Sequence, residues 1–192
     1  MNVFSKPTQS NNRVQNGSVV GGDQKNYNTH IYRSPNRSLE RLYGRLSEEV
    51  EVQEGGNLEF SDKLKHYFAS DTNPDVRGLE SKLNDSQRDD LLFFAQDLKE
   101  KAFKLILKSQ SSKTAQEIYA IILDKIHTDF MLKVRPLIQC DEDRNVVDEK
   151  ISLMLESIND MLGDNLLELT EKDLLGLLYF LGGNCHVRWD KC

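Results

Sequence analysis

The stretch Leu174-Leu175-Gly176-Leu177-Leu178-Tyr179-Phe180-Leu181 contains no charged or strongly polar side chain. Thr170 and Asp173, just ahead of it, have the spacing of a capping box in which Asp takes the usual place of Glu. The stretch therefore predicts a helix from Leu174 to about Trp189. A helix without a polar face must be buried, so we expect it to be the central element of the fold.

Upstream of this helix, apolar residues recur at three- and four-residue intervals in several segments. Ser38 is predicted to cap the first of these helices, and Ser86 with Asp89 to open a long one. Pro136 should end or kink another, because it offers no backbone N–H. The expected fold is an all-α helical bundle of about six helices with a buried C-terminal helix, and the upstream helical segments are 38–50, 58–69, 79–83, 86–109, 114–136 and 146–162.

The N-terminal segment has a different composition, rich in Asn, Ser, Gly and Gln. Such a sequence buries too little apolar surface to order itself alone, so residues 1–36 are predicted to be an irregular arm and residues 37–192 a helical domain. Short β-strands can form in the arm if a partner supplies a strand edge. The arm residues predicted to contact that partner are Val19, Val20, Tyr27, Ile31 and Tyr32.

The overall charge and the cysteine content narrow the function classes. A net charge of −6 over 192 residues disfavours a general nucleic-acid coat, so contact with DNA is expected to run through partners. Cys140, Cys185 and Cys192 are far apart and lack metal-ligand spacing, which indicates free thiols in a reducing compartment. Without a signal peptide or a long apolar run, we expect a cytoplasmic protein with no membrane segment, no metal and no cofactor.

Candidate catalytic residues are sparse. The four histidines are isolated in sequence, and of the acidic neighbours of His127 only Asp124 shares its helical face, which favours a surface ion pair. Cys185 and His186 are adjacent and so point about 100° apart, which is unsuited to a Cys/His dyad. No catalytic set is predicted, and the protein is expected not to be an enzyme.

Arg188 and Trp189 follow the apolar helix. The indole ring either covers the end of the core or, with Arg188, anchors a protein partner, since Trp and Arg are frequent interface hot spots. Both interpretations stay open from the sequence, and the pair is the second predicted partner-binding patch.

Three motifs together resemble a known family: Thr114-Ala115-Gln116-Glu117-Ile118-Tyr119-Ala120 leading to Arg135-Pro136-Leu137-Ile138, then Leu177 to Leu181, then Cys185-His186-Val187-Arg188-Trp189-Asp190-Lys191. They look like the C-terminal helical domain of bacterial ABC-three-component conflict systems, of which the Lamassu antiphage systems are relatives. The glycine-aspartate segment Gly21-Gly22-Asp23-Gln24 is similar to one that often precedes this domain.

The resemblance implies a non-enzymatic adaptor in an antiphage defence complex. Such a domain couples and restrains a nuclease effector on an SMC- or Rad50-like ABC ATPase that senses foreign DNA. In the family the domain commonly follows the effector on one polypeptide, whereas nothing of domain size precedes it in this sequence. This departure leads us to expect a small accessory subunit with its effector acting in trans. The alternatives are a small toxic effector with its own nuclease activity and a self-associating scaffold.

Overall fold

The computed structural model describes residues 36–51, 59–69 and 78–190. Every regular element within these ranges is helical, which confirms the all-α prediction. The five arm residues and the strands expected around them lie outside the described residues, and the division at residue 36 stays a prediction. The α-helices are α1 (Arg37–Glu51), α2 (Asp62–Phe68), α3 (Leu79–Asp85), α4 (Leu92–Lys108), α5 (Lys113–Asp129), α6 (Arg135–Gln139), α7 (Arg144–Leu162) and α8 (Glu171–Gly183).

The predicted capping box at the start of α8 is confirmed. The backbone N–H of Asp173 donates to Thr170 Oγ1 at 3.3 Å, and the backbone N–H of Thr170 donates to Asp173 Oδ2 at 2.9 Å. These bonds satisfy two backbone donors that the helix cannot pair internally. From Leu174 onward α8 is buried almost continuously, so its predicted place in the core is confirmed as well.

The predicted C-terminal end of this helix is wrong: α8 stops at Gly183, six residues before Trp189. Cys185 adopts a φ of 67°, and the N–H of His186 donates to the carbonyl of Leu181 at 2.9 Å. This left-handed residue with a bond back across the last turn is a Schellman motif. The chain after it folds back over the helix end, which no periodicity of apolar residues could indicate.

Helix α8 packs most extensively on α4, and Gly176 lies at the contact. A Cβ atom placed on Gly176 would lie 2.8 Å from the backbone oxygen of Leu98 and 3.3 Å from Cβ of Ala102. The two helix backbones therefore approach as closely as they do because position 176 has no side chain.

A buried lysine holds the end of α8. Lys82, on α3, is 1% exposed, and its ammonium donates to the carbonyl of Gly182 at 2.6 Å and to that of Val187 at 3.2 Å. The positive charge lies where a helix C-terminus favours it. Burial lowers the pKa of Lys82 below its usual value. The lysine thus joins the last turn of α8 to the returning tail.

Pro136 interrupts helical geometry, as expected. Regular α-helix ends at Asp129, a π-helical turn covers Phe130–Val134, and α6 begins at Arg135 with Pro136 in its first turn. Proline cannot donate to the preceding turn, so a continuous α-helix through this position is disfavoured.

Two predicted N-caps are wrong. Helix α1 begins before Ser38, whose N–H donates to the side-chain oxygen of Asn36 at 3.0 Å. Ser86 lies in the turn after α3 and donates to the carbonyl of Leu83, while a 3-10 turn over Asp89–Leu91 separates it from α4. The second predicted helix also begins later, at Asp62.

None of the described helices is both long and apolar enough to cross a membrane.

The close α4–α8 approach predicts the effect of adding one methyl group. Gly176→Ala should lower the free energy of unfolding by about 1–3 kcal/mol, because the backbones must separate. The control is Gly44→Ala in α1, where an added Cβ meets nothing within 4 Å. The free energy of unfolding of that variant should rise by about 0.5–1 kcal/mol, because alanine is more favourable than glycine inside a helix. Urea unfolding followed by circular dichroism measures both, and an equal effect at the two sites would contradict the close packing.

Candidate interaction surfaces

The predicted Arg188–Trp189 patch lies mostly in the interior. Trp189 is 4% exposed, with its ring centroid 5.6 Å from those of Phe130 and Tyr179. A Cβ on Gly182 would lie 2.5 Å from the indole ring. The ring therefore covers the end of the core. The guanidinium of Arg188 forms an ion pair with Asp190 at 2.8 Å, and contact of either residue with a partner stays a prediction.

A surface groove of about 470 Å³, which we call the aromatic groove, opens between α4, α7 and α8. Phe94 at its edge is 43% exposed, and the neighbouring Phe93 is 84% exposed. The ammonium of Lys172 lies 5.9 Å from the centroid of the Phe94 ring. The apolar lining consists of Leu91, Phe94, Ile151, Leu155, Leu175, Leu178, Tyr179 and Trp189.

Two charged residues that line the aromatic groove, Arg88 and Asp148, belong to a neutral ion-pair network that continues outside the groove to Asp90 and Arg144. Arg88 is 5% exposed and donates to Asp148 at 2.6 Å. Arg144 donates to both carboxylate oxygens of Asp90 at 2.8 Å, and hydrogen bonding to that guanidinium lowers the pKa of the Asp90 carboxyl. These charges are compensated within the chain, so they require no ionic ligand.

A second groove, of about 510 Å³, lies between the π-helical turn, α6 and α7. We call it the α6/α7 groove. Three of its apolar side chains are open to solvent: Leu132 is 71% exposed, Leu153 51% and Val146 42%. Single exposed apolar residues are ordinary, but three that border one groove make it a candidate interaction site. Its other lining residues are Lys133, Leu137, Glu149 and Lys150.

A buried carboxylate holds the π-helical turn that carries Leu132. Asp129 is 3% exposed and accepts from Lys125 at 2.8 Å and from Lys133 at 2.9 Å. Burial raises the pKa of Asp129, but the bonds and charges of the two lysines outweigh burial and lower that pKa from 3.8. Asp129, which immediately precedes the turn, therefore connects Lys133 within the turn to Lys125 in α5.

The two grooves use opposite faces of α7. Residues 148, 151, 152 and 155 line the aromatic groove, and residues 146, 149, 150 and 153 line the α6/α7 groove. At 3.6 residues per turn, the centres of the two sets are about 160° apart around the helix. The two surfaces can therefore be occupied at the same time. The apolar periodicity that predicts α7 includes Ile151 and Leu155, which line the aromatic groove, and Val146, which lines the α6/α7 groove. It did not indicate the grooves themselves, because these also depend on the helices beside α7.

Three of the histidines, isolated in sequence, meet in the structure. The ring centroid of His186 lies 5.3 Å from that of His66, 6.2 Å from that of His127 and 5.1 Å from that of Tyr67. The hydroxyl of Tyr67 donates to Asp124, and burial, then this carboxylate, raises the pKa of Tyr67. The expected His127–Asp124 ion pair does not form among the described residues, because Asp124 bonds to Tyr67 instead. No group in the described part of the chain has the arrangement to hold a metal ion.

The described part of the chain is thus an all-α domain built around one buried helix, and its surface includes the aromatic groove and the α6/α7 groove. A family model, C-terminal domain 9 (CTD9) of the ABC-three component (ABC-3C) systems, matches residues 78–189. The match covers more than half of the chain, and this protein belongs to that family. The resemblance drawn from the sequence motifs is therefore confirmed for the region from α3 to Trp189. No curated protein and no solved structure matches the chain.

The Asp129 site predicts a pH-dependent stability. Folding lowers the pKa of Asp129, so the ionised side chain stabilises the folded state. This contribution to the free energy of unfolding is complete above the unfolded pKa of about 3.9, and it disappears as pH falls through the folded pKa. Asp129→Asn should lower the free energy of unfolding by about 2 kcal/mol at pH 7. This difference in stability between the variant and the wild type should shrink between about pH 5 and pH 2.

Denaturant unfolding at several pH values checks this expectation. The control is Asp97→Asn, which removes the ion pair between Asp97 and Lys101. Both of these side chains are more than half exposed. That variant should change stability by about 1 kcal/mol or less. A pH-independent difference for Asp129→Asn would contradict the assignment.

Proposed function

We propose that this protein is a non-enzymatic adaptor subunit of an antiphage defence complex. It couples a nuclease-type effector to an SMC/Rad50-like ABC ATPase that senses foreign DNA, and it restrains the effector until the ATPase engages that DNA. Membership in the CTD9 family supports a role in an ABC-three-component system. The observation that carries the adaptor role is the exposed apolar α6/α7 groove.

The shape of this groove favours a helical partner. Val146 and Leu153 are seven residues apart on α7, and Leu132 and Leu137 face them from the π-helical turn and α6. An amphipathic helix binds such a groove by inserting the apolar residues of one stripe. SMC-type ATPases are characterised by long helices; the apolar stripes of their coiled coils are paired within the coil, so the proposed ligand is an amphipathic ATPase helix outside such a pair. The ATPase is therefore the proposed occupant of the α6/α7 groove.

The effector is proposed to contact the N-terminal arm. Strand addition uses main-chain hydrogen bonds, so it tolerates the small residues around Gly21 and Gly22. The predicted contact residues are Val19, Val20, Tyr27, Ile31 and Tyr32. Separate surfaces for the two partners would allow one subunit to hold both.

A matched pair of substitutions tests the groove. Leu153→Asp should weaken capture of the proposed SMC/Rad50-like ATPase partner by about 30-fold or more, because a charge would enter the apolar contact. Leu166→Asp is the control, since Leu166 is 50% exposed, close to the 51% of Leu153, but lines neither groove. Co-purification and biolayer interferometry with purified ATPase measure both variants. Equal binding by the two variants would contradict ATPase docking in the groove.

The histidine cluster favours a second candidate, a small toxic effector with its own nuclease activity. General acid/base catalysis on a phosphodiester needs titratable groups close together, and His66, His127 and His186 meet that condition. The three rings lie beside Tyr67 and Asp124, which share a hydrogen bond.

Incubation of the purified protein with DNA and RNA, with and without divalent metal, separates the two functions. The adaptor predicts no cleavage above background by the wild-type chain. Cleavage that is lost in both His127→Ala and His186→Ala would establish the effector function and reject the non-enzymatic one. The Leu166→Asp protein serves as a control for contaminating nuclease, since its substitution is outside the cluster.

A further inference from the structure

We propose that the aromatic groove, together with the neighbouring Phe93, joins two copies of this chain about a two-fold axis. This inference does not depend on the proposed adaptor role, since it concerns the isolated protein. It rests on the shape and on the charge of this face.

The shape is a protrusion beside a depression. Phe93 is 84% exposed at the start of α4, and the adjacent Phe94 lines the groove. The groove volume of about 470 Å³ is ample for an aromatic ring, and its lining is mainly apolar. In a two-fold interface the same patch faces itself, so each copy must supply both a protrusion and a depression. Phe93 is adjacent in sequence to Phe94, which lines the groove, so the protrusion and the depression are close together.

The charges at the rim are self-complementary. Glu171 and Lys172 are adjacent and exposed in the first turn of α8, and neither forms an ion pair within the described residues. A two-fold axis through this face lets Glu171 of one copy meet Lys172 of the other. The remaining lining charges, Arg88 and Asp148, neutralise each other at 2.6 Å. A partner with a strong charge of either sign would meet a like charge at this rim, whereas a second copy would not.

The α6/α7 groove lacks this symmetry of charge. Lys133 and Lys150 line it with one acid, Glu149, and no aromatic residue lines it. It also lies on the opposite face of α7. Pairing through the aromatic groove therefore leaves the α6/α7 groove of each copy accessible, so that a dimer presents two such grooves.

Light scattering coupled to size exclusion tests the proposal on the full chain. At about 100 µM, above the micromolar dissociation constants of weak interfaces, the wild type should have twice the 22.1 kDa mass of one chain. Phe93→Asp should weaken dimerisation by about 50-fold or more, without altering helix content or Tm, since Phe93 is a surface residue. Leu166→Asp should remain a dimer. A monomeric wild type would overturn the proposal, and so would a dimer that persists in Phe93→Asp.

A charge exchange tests the two-fold arrangement. Glu171→Lys and Lys172→Glu should each weaken the dimer about tenfold at low salt. In each variant, positions 171 and 172 of the two copies have the same charge, and the two-fold axis produces two such repulsive pairs. The double variant restores opposite charges and should recover most of the affinity. A double variant weaker than both single variants would show that these residues do not face each other and would overturn the two-fold arrangement. Sedimentation velocity over a concentration series provides the dissociation constants.

Discussion

The burial of α8 on every side is the constraint on which the other elements depend. A helix with apolar residues around its whole circumference must be covered by several neighbours, and α3, α4, α5 and α7 all contact it. The α4 contact is the closest, because Gly176 has no side chain to separate α8 from the backbone of Leu98. The end of α8 is covered by its own tail, through the bonds of Lys82 and the ring of Trp189.

The same constraint determines what the surface can offer. Helix α7 uses one face to cover the core, which leaves its two flanks for the aromatic groove and the α6/α7 groove. The π-helical turn before Pro136 contributes to the α6/α7 groove, because it exposes Leu132 while Phe130 and Val134 stay buried. Asp129 anchors that turn through two lysines. A departure from regular helix thus supplies part of an apolar surface.

The residues that the family model matches are those of α8 and of most of the elements that enclose it. The match begins at Gly78, immediately before α3, and ends at Trp189, which closes the core. Helices α1 and α2 precede the match and pack mainly on α5. Their contacts include polar ones: the N–H of Ser61 donates to Gln116 at 2.6 Å, and the hydroxyl of Tyr43 donates to the carbonyl of Leu162 at 3.2 Å. The matched region therefore includes the buried helix, both grooves and the returning tail.

The sequence by itself determined the helical class, the burial of the last helix and the capping box at Thr170. These follow from local patterns, since periodicity and capping depend on residues within one or two turns. It also predicted the break at Pro136, because proline acts on its own backbone. The end of α8 has a local signal in Gly182-Gly183-Asn184, which the periodicity of apolar residues did not reveal. Only the tertiary structure placed the buried Lys82 and the ring of Trp189 against that end. It also brought His66, His127 and His186 together and formed the two grooves, because those arrangements depend on distances between helices that are remote in sequence.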